Sequence, residues 1–145
     1  VIATAGPRSR ARVTAAGADE IIDHTTTDLT PAAVGGPVDV ALNLAPLDPD
    51  RLAALLTLIR PGGVLVNTTV WMPAPSDAER GVRGIDLYVR SDAGRLAHLV
   101  ALVDSGDLRV QVAQRVPLAE LPAVHAQAAA GTLPGGKTVI VVPAA

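Results

Sequence analysis

VIATAGPRSRARVTAAGADEIIDH, residues 1–24, decides the fold. Val1 to Ala5 is an apolar run of the kind that fills a strand buried on both faces of a parallel sheet. Gly6-Pro7 breaks the run and opens a helix, with Pro at the first helical position, where its missing amide costs nothing. Gly17 closes that helix, and Ala18-Asp19-Glu20 leads into a short apolar strand at Ile21-Ile22. The stretch therefore reads as the second strand, second helix and third strand of an α/β sheet, with the first strand expected upstream of Val1.

In a dinucleotide-binding fold the residue that ends the second strand selects the cofactor. An Asp or Glu there accepts hydrogen bonds from the adenosine ribose hydroxyls and favours NAD, whereas a phosphate on that ribose needs positive charge and small polar groups. Here the strand ends in Ala5-Gly6, Arg8, Ser9 and Arg10 follow, and no acid occurs before Asp19. Guanidinium groups bind phosphate bidentately and the start of a helix adds free amide donors, so the pattern favours NADP(H). A solvated basic face on a surface helix accounts for the same arginines equally well.

The remaining chain alternates strands with helices, as a parallel sheet covered on both faces requires. Val38 to Leu44 is a strand, and Asp48 and Pro49 begin a helix as N-cap and first residue, with Leu52, Leu55, Leu56 and Ile59 as its apolar stripe. Arg60-Pro61-Gly62-Gly63 turns the chain into a strand from Val64 to Asn67. A loop rich in Pro and charge runs from Met72 to Gly84, and a further strand from Ile85 to Val89. Beyond Arg90, Ser91 caps a helix bearing Leu96, Leu99, Val100 and Val103 on one face, and Gly106 ends it. A strand around Val112 to Leu118, a helix from Ala119 to Ala130 and a strand from Thr138 to Val142 complete the pattern.

Composition narrows the classes. The 145 residues suffice for one ordinary domain, the net charge is −2, and aromatic residues are almost absent, which argues against nucleic-acid binding. With no Cys, disulfides, thiolate zinc sites and cysteine nucleophiles are excluded. Without a long apolar run or a charged-then-apolar leader, no membrane span or signal peptide is read, and a soluble cytoplasmic protein is expected. His24, His98 and His125 lie far apart in sequence, so no metal site is expected. Asp23-His24 followed by three threonines looks like a strand end with turn formers, and Tyr88 like core or pocket wall. The glycine pairs Gly35-Gly36, Gly62-Gly63, Gly81 to Gly84 and Gly135-Gly136 read as turns, and none sits where a pyrophosphate-binding turn would.

The succession GADEIIDH, VDVALNLA, a Leu-rich helix, RPGGVLVN, LVALVDSGDLR, VPLAELPAVHAQAAAG and GGKTVIVV resembles the C-terminal portion of medium-chain dehydrogenase/reductases, nearest their zinc-independent, quinone-oxidoreductase-like branch. The resemblance implies a Rossmann-type doubly wound parallel sheet, lacking here its first strand, its glycine-rich turn and the N-terminal barrel-like catalytic domain. Residues 1–90 would form a partial dinucleotide-binding domain, and residues 91–145 a segment that packs on the N-terminal domain. It implies hydride transfer from NADPH to a small conjugated carbonyl or quinone, chemistry in which the cofactor supplies the reactivity and the protein supplies orientation. By position, Ala5, Gly6, Arg8, Ser9 and Arg10 would hold the adenosine phosphate end. Asn43, Leu44 and Ala45, with Asn67, Thr68 and Thr69, would face the nicotinamide half, although either Asn equally suits a turn residue bonding its own backbone.

In the strand order 3-2-1-4-5-6 the first strand is central, so its omission leaves a gap of roughly 10 Å between strands two and four. The sheet then belongs to a longer product, borrows a strand from a partner, or closes up, and a homo-oligomer or a partner segment supplying the strand is expected. Two other classes stay open: a non-catalytic remnant of the fold, and a methyltransferase, since VDVALNL, a helix and RPGGVLV are also similar to Rossmann-like enzymes that use S-adenosylmethionine.

Overall fold

A computed structural model of the chain describes residues 1–69 and 71–143. β1 (Ile2–Thr4) runs through α1 (Arg10–Ala15) to β2 (Glu20–Ile22), and the two strands pair in parallel with Thr4 opposite Ile22. β3 (Val38–Asn43) leads into α2 (Pro49–Ala54), a 3-10 turn over Leu55–Leu58, and β4 (Ile59–Asn67). β5 (Arg83–Asp86) follows, and β3, β4 and β5 form a second all-parallel sheet in that order, with Asn43 opposite Asn67 and Asn67 opposite Asp86. No hydrogen-bonded pairing joins β1 to β3. The first unit is thus a Rossmann-type α/β arrangement with two parallel sheets, in the orders β1-β2 and β3-β4-β5.

The chain divides into two units, Val1–Arg90 and Ser91–Ala145. In the first, Ile22, Val34, Leu52, Leu55, Leu58, Ile59, Leu65 and Val82 form one buried cluster. Alternation explains the choice of residues in β4, where Leu65 and Asn67 are buried and Val64 and Val66 less so. In the second unit α3 (Ala93–Ser105) is followed by β6 (Val112–Pro117), a 3-10 turn over Leu118–Glu120, α4 (Leu121–Ala129) and β7 (Lys137–Val141), with β6 and β7 parallel.

Several boundaries differ from the sequence reading. The first helix starts at Arg10 rather than Pro7, because the Gly6 carbonyl accepts the amides of both Ser9 (3.0 Å) and Arg10 (3.1 Å) and closes a turn before the regular helix begins. Ile59 opens β4 instead of ending a helix, with its pairing broken between Val38 and Val40, so that Arg60 to Gly63 bulge from the ladder. Gly63 is needed there for close approach: a Cβ would meet Ile59 Cγ2 at 2.4 Å and the Asp39 carbonyl at 2.7 Å. Gly84 likewise lies in a strand, beneath the loop carbonyls of Ala74 and Pro75, each 2.5 Å from a hypothetical Cβ. The strand expected over Ile85 to Val89 is Arg83–Asp86, which leaves Tyr88 beyond it and 67% exposed rather than in a core or pocket wall. Asp92, not Ser91, caps α3, its carboxylate accepting the Arg95 amide at 3.0 Å.

Candidate functional site

The carboxyl ends of the parallel strands in the first unit carry two groups of polar residues. At the ends of β3, β4 and β5, Asn67 is the hub. Its Nδ2 donates to the carbonyls of Thr69 (3.2 Å) and Met72 (2.8 Å), and its Oδ1 accepts from Asn43 Nδ2 (2.9 Å) and Thr69 Oγ1 (2.8 Å). Asn43 Nδ2 also donates to the Ala45 carbonyl (3.0 Å), and Thr68 Oγ1 donates to the Asn43 carbonyl (3.1 Å). Asp86, at the end of β5, accepts the Ala74 amide at 2.8 Å and ties the following loop to the same cluster. Asn43, Asn67 and Thr69 are buried, and these bonds supply what burial of an amide demands. Leu44 and Ala45 beside them are exposed. The sequence-expected residues of this half, Asn43, Ala45, Asn67, Thr68 and Thr69, are thus joined in one network, with the Asn67 side chain turned to its own loop.

The second group lies at the ends of β1 and β2. Ala5 and Gly6 are buried, Arg8 and Arg10 are exposed, and Ser9 Oγ donates to the Gly6 carbonyl at 3.3 Å. The Ser9 and Arg10 amides are consumed by that same carbonyl, so they are not the free donors expected of a helix start. Because Thr4 is in register with Ile22, the residues after β1 lie beside those after β2. A Cβ at Gly6 would stand 3.3 Å from Thr25 Cγ2 and 3.6 Å from His24 Nε2. Asp23 Oδ1 accepts the Thr25 amide (2.9 Å) and hydroxyl (2.6 Å). Those bonds, with the nearby charges of His24 and Arg10, hold the Asp23 carboxyl below the usual carboxylate range. The turn's stabilisation is therefore present above that range and is lost as pH falls through the lowered value. His24, Thr25 and Asp23 were missing from the sequence-derived site, although the parallel register of the two strands was the signal that would have found them.

The profile of the zinc-binding dehydrogenase family matches residues 16–140. The chain belongs to that family, and within the medium-chain dehydrogenase/reductases it corresponds to the C-terminal portion. A search of curated protein sequences finds no match. Among solved structures, the chain is similar to a quinone oxidoreductase from Coxiella burnetii (24% identity, TM-score 0.82, covering 99% of this chain and 45% of that one). It is also similar to an alcohol dehydrogenase from the archaeon Aeropyrum pernix (20% identity, TM-score 0.73, 97% and 42%) and to a crotonyl-CoA carboxylase/reductase (16% identity, TM-score 0.77, 97% and 40%). These likenesses establish the fold, and the chain spans less than half the length of each.

The family's name implies zinc, but the donor set of this chain does not fit it. Cys is absent from the sequence, and among the described residues no three His, Asp or Glu side chains stand together as a ligand set. At the end of β1, Gly6 lets the backbone pass close to Thr25 and His24, which a Cβ would crowd, and cationic side chains follow it. No helix among the described residues is long and apolar enough to cross a membrane.

Proposed function

We propose that the chain is the cofactor-binding portion of an NADP(H)-dependent oxidoreductase of the quinone or enone reductase type. The observation that carries this reading is the mouth of β1 and β2, where Ala5-Gly6 follows β1 without an acid and Arg8 and Arg10 come next. The one nearby carboxylate oxygen with assigned partners, Asp23 Oδ1, is occupied by Thr25. In this reading Ala5, Gly6, Arg8, Ser9 and Arg10 hold the phosphorylated adenosine. The ends of β3 and β4, Asn43 to Ala45 and Asn67 to Thr69, border the nicotinamide half. The bound cofactor supplies a hydride to a small conjugated carbonyl or quinone, and these residues orient it. The Asn67 network keeps the loop after β4 in place while Leu44 and Ala45 offer apolar surface to the ring.

The same reading includes a parallel strand between β1 and β3, supplied by another segment of a longer protein or by a second copy, since both strands keep an open edge. It includes a cytoplasmic location and no zinc bound by this chain, which elemental analysis of the purified protein checks. The deciding experiment is cofactor titration of the intact protein. Each charged contact to phosphate is worth about 1.5–3 kcal/mol, so Arg8→Ala with Arg10→Ala is expected to weaken NADPH by on the order of a hundredfold or more and NADH little. Equal losses for the two cofactors would overturn the reading.

A further inference from the structure

β3 and β4 end in the same device. Asn43 donates from Nδ2 to the Ala45 carbonyl at 3.0 Å and accepts the Ala45 amide on Oδ1 at 3.4 Å. Asn67 does the same with Thr69, at 3.2 and 3.4 Å. Each side chain thus grips both backbone groups of the residue two further on, which holds a turn. The register sets Asn43 opposite Asn67, and Asn43 Nδ2 joins the two turns by donating to Asn67 Oδ1 at 2.9 Å. Thr68 adds its amide and its hydroxyl to the Asn43 carbonyl, at 3.2 and 3.1 Å.

The hydrogens of these side chains are all committed. A primary amide has two to donate. Asn43 gives its pair to Ala45 and Asn67, and Asn67 gives its pair to Thr69 and, at 2.8 Å, to Met72. The hydroxyls of Thr68 and Thr69 give theirs to the Asn43 carbonyl and to Asn67 Oδ1. Asn67 is moreover only 1% exposed, whereas Leu44, in the middle of the first turn, is 71% exposed. Asn67 has neither a spare hydrogen nor a surface with which to touch a ligand.

Resting on the cofactor reading above, we infer that Asn67 is a positioning residue: it does not contact the cofactor, and through the joined turns 43–45 and 67–69 it sets the surface against which the nicotinamide half is placed. For the same reason these side chains orient the ring without supplying the proton that a carbonyl takes up on reduction.

The test is calorimetric titration of the intact protein with NADP+, with its pyridine analogue that lacks the carboxamide, and with adenosine 2′,5′-bisphosphate, for the wild type, Asn67→Leu and Asn67→Ser. The ratio of NADP+ to bisphosphate affinity reads what lies beyond the adenosine end. Asn67→Leu is expected to lower that ratio by on the order of tenfold and Asn67→Ser, which keeps one donor, by less, with bisphosphate affinity nearly unchanged and the pyridine analogue losing the same factor as NADP+. A loss that disappears with the pyridine analogue would overturn the inference, since Asn67 would then bond the carboxamide itself. An unchanged ratio would also overturn it and, with wild-type NADP+ bound more tightly than the bisphosphate, leave the cofactor reading standing. Equal losses for NADP+ and the bisphosphate would overturn it by assigning Asn67 to the fold as a whole. Wild-type protein that binds NADP+ no more tightly than the bisphosphate would overturn the nicotinamide half of the cofactor reading and the inference with it.

Discussion

Val1–Arg90 and Ser91–Ala145 are built from the same kinds of element, yet they bury apolar surface very differently. Among the described residues, every buried apolar side chain except Val124 belongs to the first unit. There α2, the 3-10 turn and β4 bring Leu52, Leu55, Leu58, Ile59 and Leu65 into one cluster. In the second unit α3 has no buried residue, and its Leu96, Leu99, Val100 and Val103 line an open apolar groove with Leu108 and Val110. An amphipathic pattern specifies which face of a helix seeks cover, but only a neighbour supplies the burial that stabilises it, at about 25 cal/mol per Å². The first unit has that neighbour within its own sequence. The second has the pattern without the cover.

The largest expected effect tests this contrast directly. Leu65→Ala removes a wholly buried side chain and is expected to destabilise the 145-residue chain by about 2–5 kcal/mol in urea unfolding. Leu99→Ala removes one that is 48% exposed and is expected to cost less than about 1 kcal/mol. Equal losses would break the contrast and show that the groove on α3 is filled in solution.

A second, intermediate effect concerns the polar network at the end of the first unit's sheet. Asn67→Leu keeps roughly the volume but takes from Asn43 Nδ2 one of its two acceptors and leaves the carbonyls of Thr69 and Met72 without their Asn67 donor. Unsatisfied buried groups of this kind cost about 1–3 kcal/mol each, so a loss of at least that size is expected, together with faster amide exchange in the loop after β4. A fully stable Asn67→Leu protein with an unaltered loop would show that the network is decoration on a sheet that packing alone holds. No counterpart exists for this test in the second unit, where no buried polar side chain occurs among the described residues.

The order of elements and the parallel sheet were legible in the sequence because each rests on a local signal: the apolar runs of Val38 to Leu44 and Val64 to Asn67, the Asp48-Pro49 cap, the glycine stop at Gly106. What was not legible depended on contacts between elements. Whether Ile59 ends a helix or begins a strand is decided by its pairing with Val38, not by its place in an apolar stripe. Gly63 and Gly84 read as turns by composition, but their reason is the backbone of Asp39 and of Ala74 and Pro75 pressed against them. The strand-end residues of the candidate site were assigned by position alone. His24 was passed over because it is distant in sequence from Gly6 and becomes its neighbour only through the register of β1 with β2.

The smallest expected effect is the most discriminating, because the two units contain the same cap. Asp48 accepts the Arg51 amide at 2.9 Å at the start of α2, and Asp92 accepts the Arg95 amide at 3.0 Å at the start of α3. Each also pairs with that arginine's Nε at 3.5 Å. Removing such a cap costs about 0.5–2 kcal/mol of helix stability wherever it occurs. How that loss is read depends on what the helix is coupled to. α2 contributes Leu52 to the common core, so Asp48→Ala is expected to shift the global unfolding midpoint of the chain. α3 buries nothing, so Asp92→Ala is expected to leave that midpoint almost unmoved and instead to speed hydrogen exchange at the first turns of α3, a local opening rather than a global one. Were Asp92→Ala to lower the midpoint as much as Asp48→Ala, α3 would have to unfold together with the core, and the two units would be one cooperative structure.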